Sequence, residues 1–291
     1  MATFILSAFA DEAANDVNGQ IAALKRNGIR FIEPRNVNGS IVEKNDEELF
    51  QIAAALSAAG IRVSSFGSPI GKYEIDQPLE AHLKQFRRAL RVCEIFGTRR
   101  MRIFSFYVPQ NRLAECRAEV MYRMRVMLDE ANKAGITLCH ENESAIYGQN
   151  PAEVRDLLAE LPDLRGIFDP ANYVMNGQDS IEGIEATLPS LEYLHIKDAI
   201  YEKRSVVPCG KGEGRIAEVI SRVDAARDGE VFLSVEPHLH IFPAYRQIDR
   251  HELRNEYSFN TADEAFDCAV ASLKETLQTI GFHEENGIWK K

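Results

Sequence analysis

Short runs of β-branched and aromatic residues alternate along the chain with longer stretches in which apolar residues recur at helical spacing. Eight runs read as strands: Phe4 to Phe9, Arg30 to Glu33, Arg62 to Phe66, Met101 to Phe106, Ile136 to Glu141, Arg165 to Asp169, Tyr193 to His195 and Val231 to Glu236. The stretches between them are long enough for crossovers, and strict β-then-α alternation implies a parallel sheet covered by helices. Predicted helices at Gln20 to Asn27, Glu47 to Ala59, Gln85 to Phe96 and Ala118 to Ala134 run into Gly28, Gly60, Gly97 and Gly135. Glycine is the residue that takes the left-handed turn past a helix without a steric penalty. The last helix is expected at Asp263 to Ile280, after an irregular segment from Pro237 to Ala262 that is too long for a bare connection and is expected to cover the mouth.

No Pro/Ser-rich linker interrupts the helix-Gly-strand order, so residues 1–291 read as one α/β domain, a single (β/α)8 TIM barrel. A doubly wound open sheet is the competing architecture. It would show a Gly-rich loop after its first strand, where this chain has Ser7-Ala-Phe-Ala-Asp-Glu12.

In a parallel barrel the active site lies at the C-terminal strand ends. Four consecutive runs close on metal-ligating residue types: Glu141, Asp169, His195 and Glu236. Strand alternation makes them convergent. With Val231, Leu233 and Val235 facing the helices, Phe232, Ser234 and Glu236 face inward; with Ile136, Leu138 and His140 outward, Thr137, Cys139 and Glu141 face inward; Leu194 outward leaves His195 inward. Any single acid at a strand end is accounted for by capping or an ion pair. Three carboxylates packed with an imidazole repel one another unless a cation neutralises them, so the cluster predicts one divalent metal. Mainly oxygen ligands favour Mn²⁺, Mg²⁺ or Co²⁺, with Zn²⁺ also compatible and Mn²⁺ preferred.

Composition narrows the field. Five scattered cysteines without CxxC spacing predict a reduced, cytoplasmic protein rather than a disulfide framework. The short N-terminus runs directly into Asp11-Glu12 and does not read as a signal peptide, and no apolar stretch is long enough to predict a membrane span. A net charge of −10 disfavours nucleic acid as a partner.

The stretches His140-Glu-Asn-Glu143, Phe168-Asp-Pro-Ala-Asn172, His195-Ile-Lys-Asp198 and Val235-Glu-Pro-His238 resemble the xylose isomerase-like TIM barrel superfamily of sugar isomerases and epimerases, over most of the chain. The resemblance implies a metal held by Glu141, Asp169, His195 and Glu236, a small-molecule sugar substrate, and a homo-oligomer, dimer or tetramer. From relatives that epimerise ketoses it implies that Glu141 and Glu236 are the catalytic acid/base pair. A metal that polarises a substrate carbonyl acidifies the neighbouring C–H, so that one carboxylate removes a proton and the other returns one by way of an enediolate. Dehydratases and lyases in the superfamily begin with the same abstraction, and a lyase or dehydratase acting on a keto-sugar or cyclitol is the second reading.

Further substrate contacts are assigned to Lys197, which shares the parity of His195; to His238 and His240 past the last strand; to Glu33, inward at the end of the second strand, for a substrate hydroxyl or an arginine; and to Asn172, where those epimerases often carry His. Lys72, in Gly67-Ser-Pro-Ile-Gly-Lys72, is expected to reach a substrate phosphate or carboxylate, and Glu143 a polar substrate group. His140 reads as a packing histidine, Asp198 as a cap, Arg102 and Phe104 as buried pairing and packing groups, and Trp289 as incidental. The glycines of Cys209-Gly-Lys-Gly-Glu-Gly214 allow close backbone approach to a ligand or simply a turn. An abasic-site endonuclease, which shares the barrel, requires more histidines for a multinuclear zinc cluster than the seven present. A non-catalytic sugar-binding barrel would bind ligand without metal.

Overall fold

The computed structural model describes residues 1–240, 254–255 and 259–291. Its barrel strands are β1 (Ala2–Ala8), β2 (Phe31–Ile32), β3 (Arg62–Val63), β4 (Arg100–Ile103), β5 (Thr137–Glu141), β6 (Arg165–Phe168), β7 (Leu191–Ile196) and β8 (Gly229–Val235). All pair in parallel, β4 through β8 in order and β8 with β1, and this TIM barrel is the predicted fold class.

The ladder does not run continuously around the barrel, because β2 and β3 pair with each other alone. A C-terminal hairpin of His283–Glu285 and Ile288–Lys290 supplies one physical reason. Its second strand pairs antiparallel with β1, setting Trp289 against Phe4 and Ile288 against Ile5, and so takes the β1 edge that β2 would otherwise use. Only at the top does β2 reach β1, where Glu33 N donates to Ala8 O at 3.0 Å. Trp289 is therefore structural, not incidental: it is 2% exposed and packs with Phe4 in the main apolar core, while Ile288 packs against the barrel interior.

On the other side, Phe66 bridges to Met101, and β4 stops at Ile103 rather than running to Phe106. Past that point the chain pairs with the preceding loop instead: Phe104 N donates to Ile70 O at 2.8 Å and Phe106 N to Gly71 O at 3.0 Å. Gly71 is required there. Its φ is +90°, and a Cβ would stand 1.9 Å from Phe104 O.

The inside of the barrel is a small apolar plug of Ile5, Cys139, Ile167, Tyr193 and Phe232. The alternate residues of the same strands, among them Phe4, Leu138, Leu194 and Leu233, belong to the larger core under the helices. That separation is the two-residue period of a strand. Helices at Val17–Arg26, Asp46–Ala58, Leu79–Phe96, Leu113–Ala134 and Ala262–Thr279 cover the sheet, several starting earlier than their apolar periodicity. Gly28, Gly60, Gly97 and Gly135 all take positive φ at or just past a helix end.

After β7 an antiparallel ribbon, Asp198–Ile200 with Ser205–Val207, is joined in parallel by Arg254–Asn255. The expected cover from the 237–262 segment falls largely on 241–253 and 256–258, outside the described residues. Among the described residues no helix is long and apolar enough to cross a membrane.

Candidate metal centre

The three acids and the imidazole assigned from strand ends meet at the mouth. One ligating atom from each of Glu141, Asp169, His195 and Glu236 lies within 4.8 Å of the others, and all four residues are buried. His195 turns Nδ1 to this centre, 2.9 Å from Glu141 Oε1 and 3.5 Å from Glu236 Oε2. Asp169 divides its oxygens: Oδ1 accepts from Asn172 N at 3.0 Å as the N-cap of the Pro170–Met175 helix, leaving Oδ2 for the centre. Among the described residues Asp169 Oδ2 and Glu236 Oε2 are buried acceptors without a hydrogen bond. Lys197 Nζ, 2.8 Å from the first and 3.7 Å from the second, balances them only as an ion pair. Buried oxygens left without donors and aimed at one point fit a bound cation.

Beneath the centre, Glu33 is fully buried, and its carboxylate is taken up by the protein rather than offered to a ligand. It accepts from Tyr193 Oη and Ser234 Oγ, each at 2.7 Å, and both its oxygens lie 3.3 Å from His195 Nε2. A carboxylate on one ring nitrogen fixes the imidazole so that the other faces the metal position. Burial raises the Glu33 pKa, but His195 and then Arg102 outweigh it and hold it below the usual range. Burial likewise opposes a charge on His195, yet Glu141 and Glu33 push it up to about 10. Burial pushes Asp169 up to about 7, against Lys197.

Asn172 and Asn142 tie the ends of β5 and β6 together. Asn142 exchanges two 2.9 Å bonds with the Asp169 backbone, and Asn172 Nδ2 donates to Asn142 O at 2.8 Å and to Glu141 Oε1 at 3.4 Å. Asn172 thus orients a centre residue from the side.

Two arginines, Arg35 and Arg102, each donate to one glutamate of the centre. Arg102 Nη1 donates to Glu141 Oε2 at 3.2 Å, and Arg35 Nη1 donates to Glu236 Oε1 at 2.9 Å. The ring of Phe9 carries both guanidiniums, at 4.7 Å and 5.0 Å from its centre, and meets His195 edge to face at 5.0 Å. Burial raises Glu236, but Lys197 leads a set of neighbours that bring its carboxyl well below the ordinary range.

The sequence reading assigned no role to Arg35, Asp11 or Glu12, which meet in an ion-pair group beside Glu236. The signal lies in Ser7 to Glu12, where two adjacent acids follow the first strand.

Other candidates lie nearby. Lys72 pairs with Glu143 at 2.9 Å over the face of Phe104, lining a cavity of about 440 Å³ with Arg35, Arg102 and Ser40. His238, in left-handed backbone geometry, stands 3.3 Å from Glu12 and 3.6 Å from Glu236. His140 points away from the centre to Ser105 Oγ at 2.9 Å. The glycine loop approaches Asp198: the amides of Gly210, Gly212 and Gly214 donate to its carboxylate at 2.9, 3.0 and 2.9 Å.

The family described as xylose isomerase-like TIM barrel matches residues 21–255. The chain belongs to this family. No curated protein matches it in sequence. Solved structures similar to this xylose isomerase-like barrel include a protein named IolI with a bound zinc atom, 14% identical over 95% of this chain and 99% of that one, TM-score 0.74. Another is a probable 3-DHS dehydratase, AsbF, from Bacillus anthracis, 13% identical over 93% and 98%, TM-score 0.72. A third is D-allulose 3-epimerase from Methylomonas sp. in complex with D-allulose, 17% identical over 94% and 97%, TM-score 0.69. At these identities the likeness is one of fold.

Proposed function

We propose that the protein is a divalent-metal-dependent isomerase or epimerase of a free or derivatised sugar, working by proton transfer beside a carbonyl, with Glu141 and Glu236 as the acid/base pair. The observation that carries this reading is the division of labour in both glutamates: each turns one oxygen to the centre and anchors the other on an arginine. A metal held by Glu141, Asp169, His195 and Glu236, Mn²⁺ by preference, would supply Lewis acidity that acidifies a C–H next to a substrate carbonyl.

The side chains do the rest. Arg35 and Arg102 fix the two carboxylates, so one can take a proton from the substrate and the other deliver one from a different direction. Lys197 offers an ammonium beside Asp169 and Glu236 for a substrate oxygen. Lys72 is assigned to a substrate phosphate or carboxylate and His238 and Glu143 to polar groups of the substrate, while Glu33 and Asn172 act through the ligands they touch. Five cysteines without a disulfide support a cytoplasmic setting.

Incubating the metal-loaded protein with candidate ketoses in heavy water tests the reading. Solvent deuterium in an otherwise intact sugar is the expected result, and its absence with every substrate that turns over would overturn it. A dehydratase or lyase is the second reading, favoured by a dehydratase among proteins of the same fold; it predicts loss of water or a fragment instead.

A further inference from the structure

Beside the four-ligand centre the mouth carries a second set of metal-ligating atoms: Glu12, Glu236 and His238 offer theirs within 4.8 Å of one another, and all three are buried. Asp11 adds a further carboxylate next to Glu12. By donor chemistry alone, two divalent ions bridged by Glu236 would fit this mouth. We propose that Arg35 stands in for the second cation and confines the site to one metal, a proposal that rests on the reading of the four-ligand centre.

The guanidinium of Arg35 meets every carboxylate of this second set. Nη1 donates to Glu236 Oε1 at 2.9 Å, Nη2 to Glu12 Oε1 at 3.2 Å, and Nε and Nη2 to the two oxygens of Asp11 at 2.9 and 3.2 Å. Asn36 Nδ2 donates to Asp11 Oδ2 at 2.8 Å from outside. Arg35 is 7% exposed and cannot lose its proton at any working pH, so its charge is a fixture of the site. A divalent ion on Glu12, Glu236 and His238 would have to displace the guanidinium from Glu12 and Glu236 or share their oxygens with it, and the two like charges would repel at close range in a poorly solvated place.

The arginine also settles which way Glu236 faces. With Oε1 committed to Arg35, only Oε2 remains for the centre, so Glu236 serves one metal with one oxygen and cannot bridge. Phe9 backs the guanidinium plane at 4.7 Å and keeps it in register. Arg35 is in this sense a positioning residue, acting through Glu236 and by occupying the neighbouring ligand set.

Manganese counted per chain on dialysed protein, together with the electron paramagnetic resonance of the bound ions, tests the proposal without any substrate. Wild type and Arg35→Lys are expected to hold one ion with the signal of isolated Mn²⁺. Arg35→Met removes the guanidinium from Asp11, Glu12 and Glu236 and is expected to hold two ions with a spin-coupled signal. One ion in Arg35→Met, or two in wild type, would overturn the role of Arg35 while leaving the centre in place. No ion in wild type would instead remove the centre itself. If Arg35→Met does not fold, Arg35→Gln combined with Asp11→Asn removes one of the exposed charges and carries the same expectation of two ions and the same refutation by one.

Discussion

His195 Nε2 lies 3.3 Å from both oxygens of Glu33, and this pairing, on the side of the ring away from the four-residue cluster's centre, directs Nδ1 at Glu141 and Glu236. Glu33→Gln keeps the shape and one of the two oxygens that accept from Tyr193 and Ser234, while removing the negative charge that holds His195. Metal affinity is expected to fall about 10- to 100-fold with the fold intact, the usual size of losing such a partner. Calorimetric titration with Mn²⁺ measures it, and wild-type affinity in the variant would show that Glu33 does not orient the ligand.

Without metal, His195 is raised to about 10 by Glu141 and Glu33 against burial, and Asp169 to about 7 by burial. Both folded values exceed the unfolded ones, so at these two groups the folded chain binds more protons and their contribution to stability falls as pH rises. The Asp169 contribution is full below its ordinary 3.8 and gone above about 7; that of His195 is full below 6.5 and gone above about 10. A bound cation replaces these protons, so the rise in Tm on adding Mn²⁺ is expected to grow from pH 5 to pH 9, about the span of the two transitions. A rise in Tm that shrinks over this range would contradict the assignment.

Glu236→Gln removes the proposed acid/base group and alters one ligand of the proposed centre, while the amide oxygen can still accept from Arg35. The expected loss in kcat is about 10²- to 10⁴-fold, the scale of general acid/base catalysis. Steady-state kinetics and deuterium exchange should fall together. Exchange that persists at the wild-type rate would move the role to another residue.

Gly212 lies against Asp198, where an added Cβ would come 2.4 Å from Oδ1 and 2.5 Å from Ala199 O. Gly212→Ala is expected to cost about 1–3 kcal/mol by loosening the amide contacts on a buried carboxylate. A chemical denaturation curve reads this directly, and an unchanged midpoint would mean that the loop relaxes freely.

Much of this was legible in the sequence because it depends on period and punctuation. Parity in β5, β7 and β8 placed Glu141, His195 and Glu236 on one side, and the structure brings them together with Asp169. The same parity put Glu33 inside, yet could not say at what depth: it sits under His195 rather than at the surface of the mouth. The helix Leu79–Phe96 starts before the expected Gln85, and Leu79 and Leu83 already stand at helical spacing there. Arg35 escaped because its partners come from two segments distant from it in sequence, Asp11-Glu12 and Glu236, and ion pairs between distant segments leave no local pattern. The C-terminal hairpin escaped for the same reason, since only its pairing with β1 explains Trp289.

The most direct test of the metal centre is anomalous diffraction from crystals soaked in Mn²⁺. A peak is expected between Glu141, Asp169, His195 Nδ1 and Glu236 Oε2, with oxygen and nitrogen ligands at about 2.0–2.3 Å. A protein that takes up the ion elsewhere, or leaves these four side chains unliganded at saturating Mn²⁺, would contradict the account.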